Sequence, residues 1–457
     1  MLGLAMPIMS GMLAQMVIGL TDTIMVGHVG VVPLAASAFV LALAHLPLVF
    51  GIGLLSSVAV LASQAFGARQ NREAGEVLRH GLVVAVVAGL LSAAALIGVK
   101  PLLFLFRQPA EVIGACDPFL TLFALSLVPI LIAQVCKQFS ESLNHPWIPT
   151  FIMLGGVLLN ILLNWVLIFG HWGAPALGLT GSGWATLISR SLIALALIIY
   201  VVTAVPLRDF LPLSWRAGFD RMRFRRLLHL GWPVAAQHLL EVSAFVFAAI
   251  MMGWINADSI AAHQIAISCA ATSFMFALGT GMASCIRVGQ AFGAGHFHRM
   301  RRIGFIGVVL AAAMMTCFAV LFVMAGEPLA RIFTASPGVI ALTAKLLILA
   351  AIFQLADAIQ IAAICALRGL TDVRVPALIA ILAYWIVAVP MGSILAFPMG
   401  MGAVGIWVGL TTGLIVAAVG LLWRFHCKTL HVPKRTVLPI GKALPEPEPQ
   451  YAEAPHS

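Results

Sequence analysis

Twelve long apolar runs, separated by short polar loops, leave this chain very few ways to fold. About 20 mostly apolar residues are enough to cross the hydrocarbon of a bilayer as a helix. Lipid offers no hydrogen bonds, so each crossing segment must satisfy its own backbone, and a helix does so within one segment. The runs lie at about 2–26, 34–62, 77–99, 116–139, 149–169 and 177–205, then 228–253, 259–286, 303–325, 339–367, 375–397 and 402–425. Charged residues make up 9% of the chain, against roughly 25% in soluble domains, which excludes a water-soluble globule. The sequence therefore predicts an all-α membrane protein with the lipid bilayer as its principal partner.

The net charge of +10 raises the question of nucleic acid, and its distribution answers it. Basic residues sit in the short loops, where they set orientation. One set of loops carries Arg69, Arg72 and Arg79, then Arg208, Arg216, Arg221, Arg223, Arg225 and Arg226, then Arg287, Arg299, Arg301, Arg302, Arg368 and Arg374. The opposite set holds only Lys100, Arg107 and Arg331. By the positive-inside rule the chain has both termini in the cytoplasm, and no nucleic-acid partner is expected. The first basic residue is Arg69, so the N-terminal run reads as a first span and not as a cleavable signal. The seven cysteines form no C-x-x-C pair and read as small core residues. A Pro- and Glu-rich tail, with Lys428, Lys434 and Arg435 at its start, is expected to be disordered over 427–457.

The chain also repeats itself. Gln64-Ala-Phe-Gly-Ala68 recurs as Gln290-Ala-Phe-Gly-Ala294, each placed after an even-numbered run and followed by arginines. Pro7 pairs with Pro233 at the same separation, and the Gly178/Gly181 pair with Gly402/Gly405 at nearly the same one. Two halves with an even number of spans each run in the same sense, a transporter architecture in which substrate binds between the halves. The expected division is an N-terminal lobe at 1–205, a basic cytoplasmic linker at 206–227 and a C-terminal lobe at 228–426.

Acidic residues deep in apolar runs are the outliers. A carboxylate at mid-bilayer costs at least about 2.5 kcal/mol and needs a cavity, a cation or a proton. Glu241 is such a residue, and its counterpart in the first half is Gln15. The alternative is a neutral Glu bonded to a neighbouring helix. His238, one turn earlier, is close enough to affect its proton. Asp357 shares a helical face with Gln354, and Gln360 flanks it at i+3. Asp22 is either a helix-end cap or a second functional acid. Asn160 and Asn164 lie on one face, as interhelical glue or as site lining. Lys137, Glu141 and Arg190 read as structural, the basic ones snorkelling and Glu141 pairing with Lys137. Pro7, Pro129, Pro233 and Pro390 are expected to bend helices or break their ladders. No phosphate loop, H-E-x-x-H or G-x-S-x-G occurs, so transport would draw on an ion gradient; the chain is not read as an enzyme and needs no cofactor.

These residues carry a family resemblance. Ala261-Ala-His-Gln-Ile-Ala266, Ser284-Cys-Ile-Arg-Val-Gly-Gln-Ala-Phe-Gly-Ala294, Asp22-Thr-Ile-Met-Val-Gly27, Ser63-Gln-Ala-Phe-Gly67, 160–170 and Leu367-Arg-Gly369 resemble the multidrug and toxic compound extrusion (MATE) family, in its bacterial NorM-like branch. The resemblance implies twelve helices in two six-helix lobes related by pseudo-two-fold symmetry. It implies export of cationic amphipathic compounds in exchange for H⁺ or Na⁺, by a carrier of the bacterial inner membrane that is expected to be a monomer. It puts the cation or proton site at Glu241 and Asp357, as metal ligands if Na⁺ is the coupling ion, with Asp22 serving the first lobe. It makes Asn160, Asn164, Gln264, Phe353 and Gln360 lining residues. Two departures stand out: the first span lacks the polar lead of relatives, and Phe353 stands where some place a tyrosine, which weights the coupling toward protons. The rival readings are a lipid-linked saccharide flippase of the same superfamily, expected to have a cationic cavity, and a membrane receptor or enzyme.

Overall fold

The structure is a computed structural model that describes residues 1–106, 109–215 and 218–430. Arg107, Arg216, Lys434, Arg435 and most of the expected disordered tail fall outside the described residues. Among the described residues, twelve helices are long and apolar enough to cross a membrane. They are α1 Leu2–Gly27, α2 Val31–Gly67, α3 Asn71–Phe106, α4 Ala110–Ser142, α5 Trp147–Phe169 and α6 Leu179–Thr203, then α7 Arg221–Ile255, α8 Ala257–Gly293, α9 Phe297–Met324, α10 Pro337–Gly369, α11 Arg374–Ala396 and α12 Gly402–Leu430. A short helix, Gly326–Phe333, connects α9 to α10. The chain thus forms two six-helix lobes, with both described ends on the same side.

The helices overrun the apolar runs that predicted them. The repeated Gln-Ala-Phe-Gly motifs are not loops after the spans but the last turns of α2 and α8. Part of the expected linker is likewise helical. Asp220 caps α7, its Oδ1 accepting from the backbone N–H of Met222 at 2.9 Å and of Arg223 at 3.3 Å, which satisfies donors a helix start leaves free. The linker is pinned to α3: Arg79 donates to the carbonyls of Ser214 and Gly218, both at 3.1 Å, and Arg223 pairs with Glu73 at 2.8 Å.

The repeated motifs hold the lobes together. The Gln64 amide of α2 donates to the carbonyl of Gly369 at the end of α10, at 2.9 Å. The Gln290 amide of α8 donates to the carbonyl of Ser142 at the end of α4, also at 2.9 Å. Each lobe therefore offers the other the same bond. The approach demands glycine: a side chain at Gly67 would meet the Gln290 carbonyl, and one at Gly293 the Gln64 carbonyl. Further along the same seam Gly231 packs on Leu54 and Gly279 on Met9. These contacts cluster in the half of the molecule that carries the termini.

Prolines shape two helices. In α4 the helical ladder is interrupted at Ser126, three residues before Pro129. In α11, Pro390 has no N–H to give, and the preceding Ala383–Ala388 opens into a wide π-type turn. Such turns re-aim side chains and recur at functional sites. Pro7 and Pro233, by contrast, lie inside continuous helices.

Candidate functional site

The π-type turn delivers Tyr384 to Glu241. The tyrosine hydroxyl donates to Glu241 Oε1 at 2.9 Å, and the Gln360 amide of α10 reaches the same oxygen at 3.3 Å. Gln360 also donates to Tyr384 Oη at 3.0 Å, closing a three-membered network of α7, α10 and α11. Gln360 and Tyr384 are each 1% exposed, so water does not compete for these bonds. The missing hydroxyl at Phe353 is therefore replaced from another helix. Phe353 itself is core, buried between Phe245 and Trp407, and Gln264 is exposed on α8; neither joins the cluster.

Charge is unbalanced here. Asp357 lies close enough to Glu241 for their carboxylates to repel, and Arg368 close enough to attract Glu241. Arg368 is buried and donates to Gln237 Oε1 at 3.2 Å, with His238 Nε2 at 3.5 Å from the same guanidinium nitrogen. His238 thus faces the guanidinium as an acceptor and does not bond Glu241. Two acids against one guanidinium leave one negative charge uncompensated when both are ionised. A single proton or monovalent cation balances it.

The first lobe is arranged differently. Asp22 accepts a hydrogen bond from Asn164, whose amide also reaches Asn160 Oδ1 at 3.1 Å; Asn160 continues to Ser189 at 3.2 Å. Thr186 bonds Asp22 as well, and Arg190 attracts it electrostatically. Both asparagines are fully buried, so they form the wall of a polar chain linking α1, α5 and α6. Arg190 does not snorkel. It sits mid-helix, donates to Ser126 at the break of α4 at 2.8 Å, and stacks over Phe123 at 4.6 Å. One acid faces one guanidinium, so this lobe is balanced. Lys137 and Glu141 do pair, at 3.5 Å and deeply buried, at i+4.

Sequence reasoning missed Tyr384, Arg368, Gln237, Thr186, Ser189 and Arg190 as site residues. The signals were present but weak: Pro390 six residues after Tyr384, and a turn's spacing from Gln237 to Glu241. Among the described residues no group of three or more His, Cys, Asp or Glu could hold a metal ion.

With this geometry in hand, comparison with known proteins is decisive. The MatE family model matches residues 7–166 and 233–394, one match in each lobe. The chain belongs to the MatE family. A probable multidrug resistance protein NorM of Bradyrhizobium diazoefficiens is 35% identical over 429 residues, covering 93% of this chain and 92% of its own length. Another of the same name from Rhodopseudomonas palustris is 36% identical, covering 93% and 90%. The crystal structure of the Vibrio cholerae MATE transporter VcmN in the bent form shares the fold, with a TM-score of 0.85 at 21% identity over 93% of this chain and 95% of that one. This MatE protein is a multi-pass membrane transporter and not an enzyme.

Proposed function

We propose that the protein is a multidrug efflux antiporter, exporting cationic amphipathic compounds in exchange for H⁺ or Na⁺ across the bacterial inner membrane, with both termini cytoplasmic. The observation that carries the reading is the one uncompensated carboxylate of the Glu241–Asp357–Arg368–Tyr384 cluster. A site short of one positive charge binds one coupling cation, and an organic cation competes for the same charge. The relatives' names support drugs as the cargo, and the arginine-rich loops support the orientation. The seam joining the lobes lies at the end with the termini, so this form corresponds to an outward-facing carrier closed toward the cytoplasm. Both ligands bias one conformational equilibrium, so each alters the affinity for the other reciprocally.

The test is drug efflux from proteoliposomes with a pH gradient or a Na⁺ gradient imposed separately. Efflux is expected with one of the two, and Glu241→Gln, which removes the charge and keeps the shape, is expected to abolish the response to that gradient. Normal gradient-driven efflux by a folded Glu241→Gln protein would refute the assignment.

A further inference from the structure

Beside the seam between the lobes, at the end carrying the termini, lies a cavity of about 510 Å³. Its wall combines Arg69, Asn71 and Asn144 of the first lobe with Arg287, His296 and Arg299 of the second. Among the described residues no carboxylate lines it. Among the described residues none of the three arginines forms an ion pair, although Glu73 and Glu76 of α3 and Asp220 of the linker are each paired with an arginine. Arg287 is half-buried and close enough to Arg299 for the two to repel. Its guanidinium donates to Gln290 Oε1 at 3.4 Å, while the Gln290 amide is spent on Ser142 and on Asn144 Oδ1 at 3.1 Å.

The backbone adds an independent observation. Arg69 follows α2 in the left-handed region, with φ at 58°. The equivalent residue after α8 is Gly295, with φ at 72°. The hydrogen bonds match: Gln70 N–H to Ala65 and His296 N–H to Ala291, both at 2.9 Å. Helix ends of this kind favour glycine, because a Cβ is strained there. The first lobe thus holds an arginine where local conformation prefers no side chain, and that arginine faces the cavity.

We infer that this cavity binds a phosphate-bearing anion that bridges Arg69 of one lobe to Arg287 and Arg299 of the other. Phosphate oxygens accept the forked donors of several guanidiniums at once. An anion held from both sides stabilises the closed seam, so it also biases the carrier toward the state with that seam shut. The binding itself is independent of the proposed antiport; only its consequence for transport rests on that reading. The phosphate could be borne by a soluble compound or by a lipid headgroup at the membrane surface.

The experiment uses the full chain. Sodium pyrophosphate is titrated into the detergent-purified protein at constant ionic strength, while melting temperature and amide hydrogen exchange of segments 64–70 and 290–296 are followed. Separately, the protein is placed in phosphatidylcholine nanodiscs with or without phosphatidylglycerol. A soluble ligand class predicts that pyrophosphate raises the melting temperature and slows exchange in both segments together. A lipid source predicts that only phosphatidylglycerol does so. In either case Arg287→Gln and Arg69→Gly are expected to weaken the effect by about tenfold or more, while Arg331→Gln, on the opposite side, leaves it intact. Arg69→Gly copies the second lobe's own residue, so it folds without the strain and separates binding from stability. No response to either source, slowing in one segment alone, or an undiminished response in both variants would overturn the inference. Loss of gradient-driven efflux with anion binding intact would instead count against the antiport reading.

Discussion

At the residue scale, the cluster around Glu241 works by an imbalance that Tyr384 tunes. The tyrosine donates to the carboxylate and so favours its charged form, a bond to a charged group worth about 1.5–3 kcal/mol. Tyr384→Phe removes the donor and keeps the ring's packing against Phe245. Coupled efflux is expected to persist, unlike in Glu241→Gln, with the half-maximal concentration of coupling ion moved by roughly tenfold or more. The direction separates the two coupling ions. If a proton is exchanged, the variant needs less of it, because the ionised carboxylate has lost support. If Na⁺ is exchanged, it needs more, because a neutral ligand has gone. Dose–response curves in proteoliposomes read this directly, and an unmoved curve would mean that Tyr384 only packs.

At the element scale, the position of Tyr384 depends on Pro390. Without an N–H at Pro390 the ladder of α11 cannot run straight through, and the wide turn at Ala383–Ala388 absorbs the mismatch. Pro390→Ala restores the donor and lets a regular helix form. Each residue added to or removed from a turn rotates what precedes it by about 100°, which swings Tyr384 off Glu241. The variant is expected to be well folded yet to behave as Tyr384→Phe does; wild-type dose–response with Pro390→Ala would show that the turn has another cause. This dependence also explains what the sequence could and could not reveal. The twelve spans and the deep acids Asp22, Glu241 and Asp357 were legible because lipid penalises polar groups so strongly. The pairing of Asn160 with Asn164 was legible from helical spacing. Tyr384 was not, since its partner lies 143 residues away and its aim is set by an irregular turn. Arg190 and Arg368 were read as ordinary basic residues because their depth depends on which helices break or overrun, and no periodicity encodes that.

At the scale of the whole molecule, the repeat is legible in sequence as a matching string but its purpose is visible only in the paired bonds across the seam. Gln64 donates one bond to the opposite lobe and Gln290 two, to Ser142 and Asn144, and the glycines three residues later let the helices approach closely enough to make them. A buried hydrogen bond contributes about 0.5–1.5 kcal/mol net. The two bonds to backbone carbonyls, broken together when the seam opens, hold the closed form by about 1–3 kcal/mol, a shift of roughly five- to 150-fold in the equilibrium between forms. The double variant Gln64→Ala, Gln290→Ala should therefore open the seam more often without unfolding either lobe, whose own cores it does not touch. Cys285 lies buried on α8 with its carbonyl against Gly369, the residue that accepts from Gln64, and provides the probe. With the other six cysteines replaced, its labelling by a membrane-permeant maleimide is expected to accelerate by about that factor, and in each single variant by a smaller one. Because Gln290 also bonds Asn144 across the seam, its single variant should open the seam at least as often as that of Gln64. A larger effect of Gln64→Ala than of Gln290→Ala would show that the bonds, although built on one repeat, do not set closure as their number implies, and an unchanged double variant would leave the glycine-packed surface alone responsible for it.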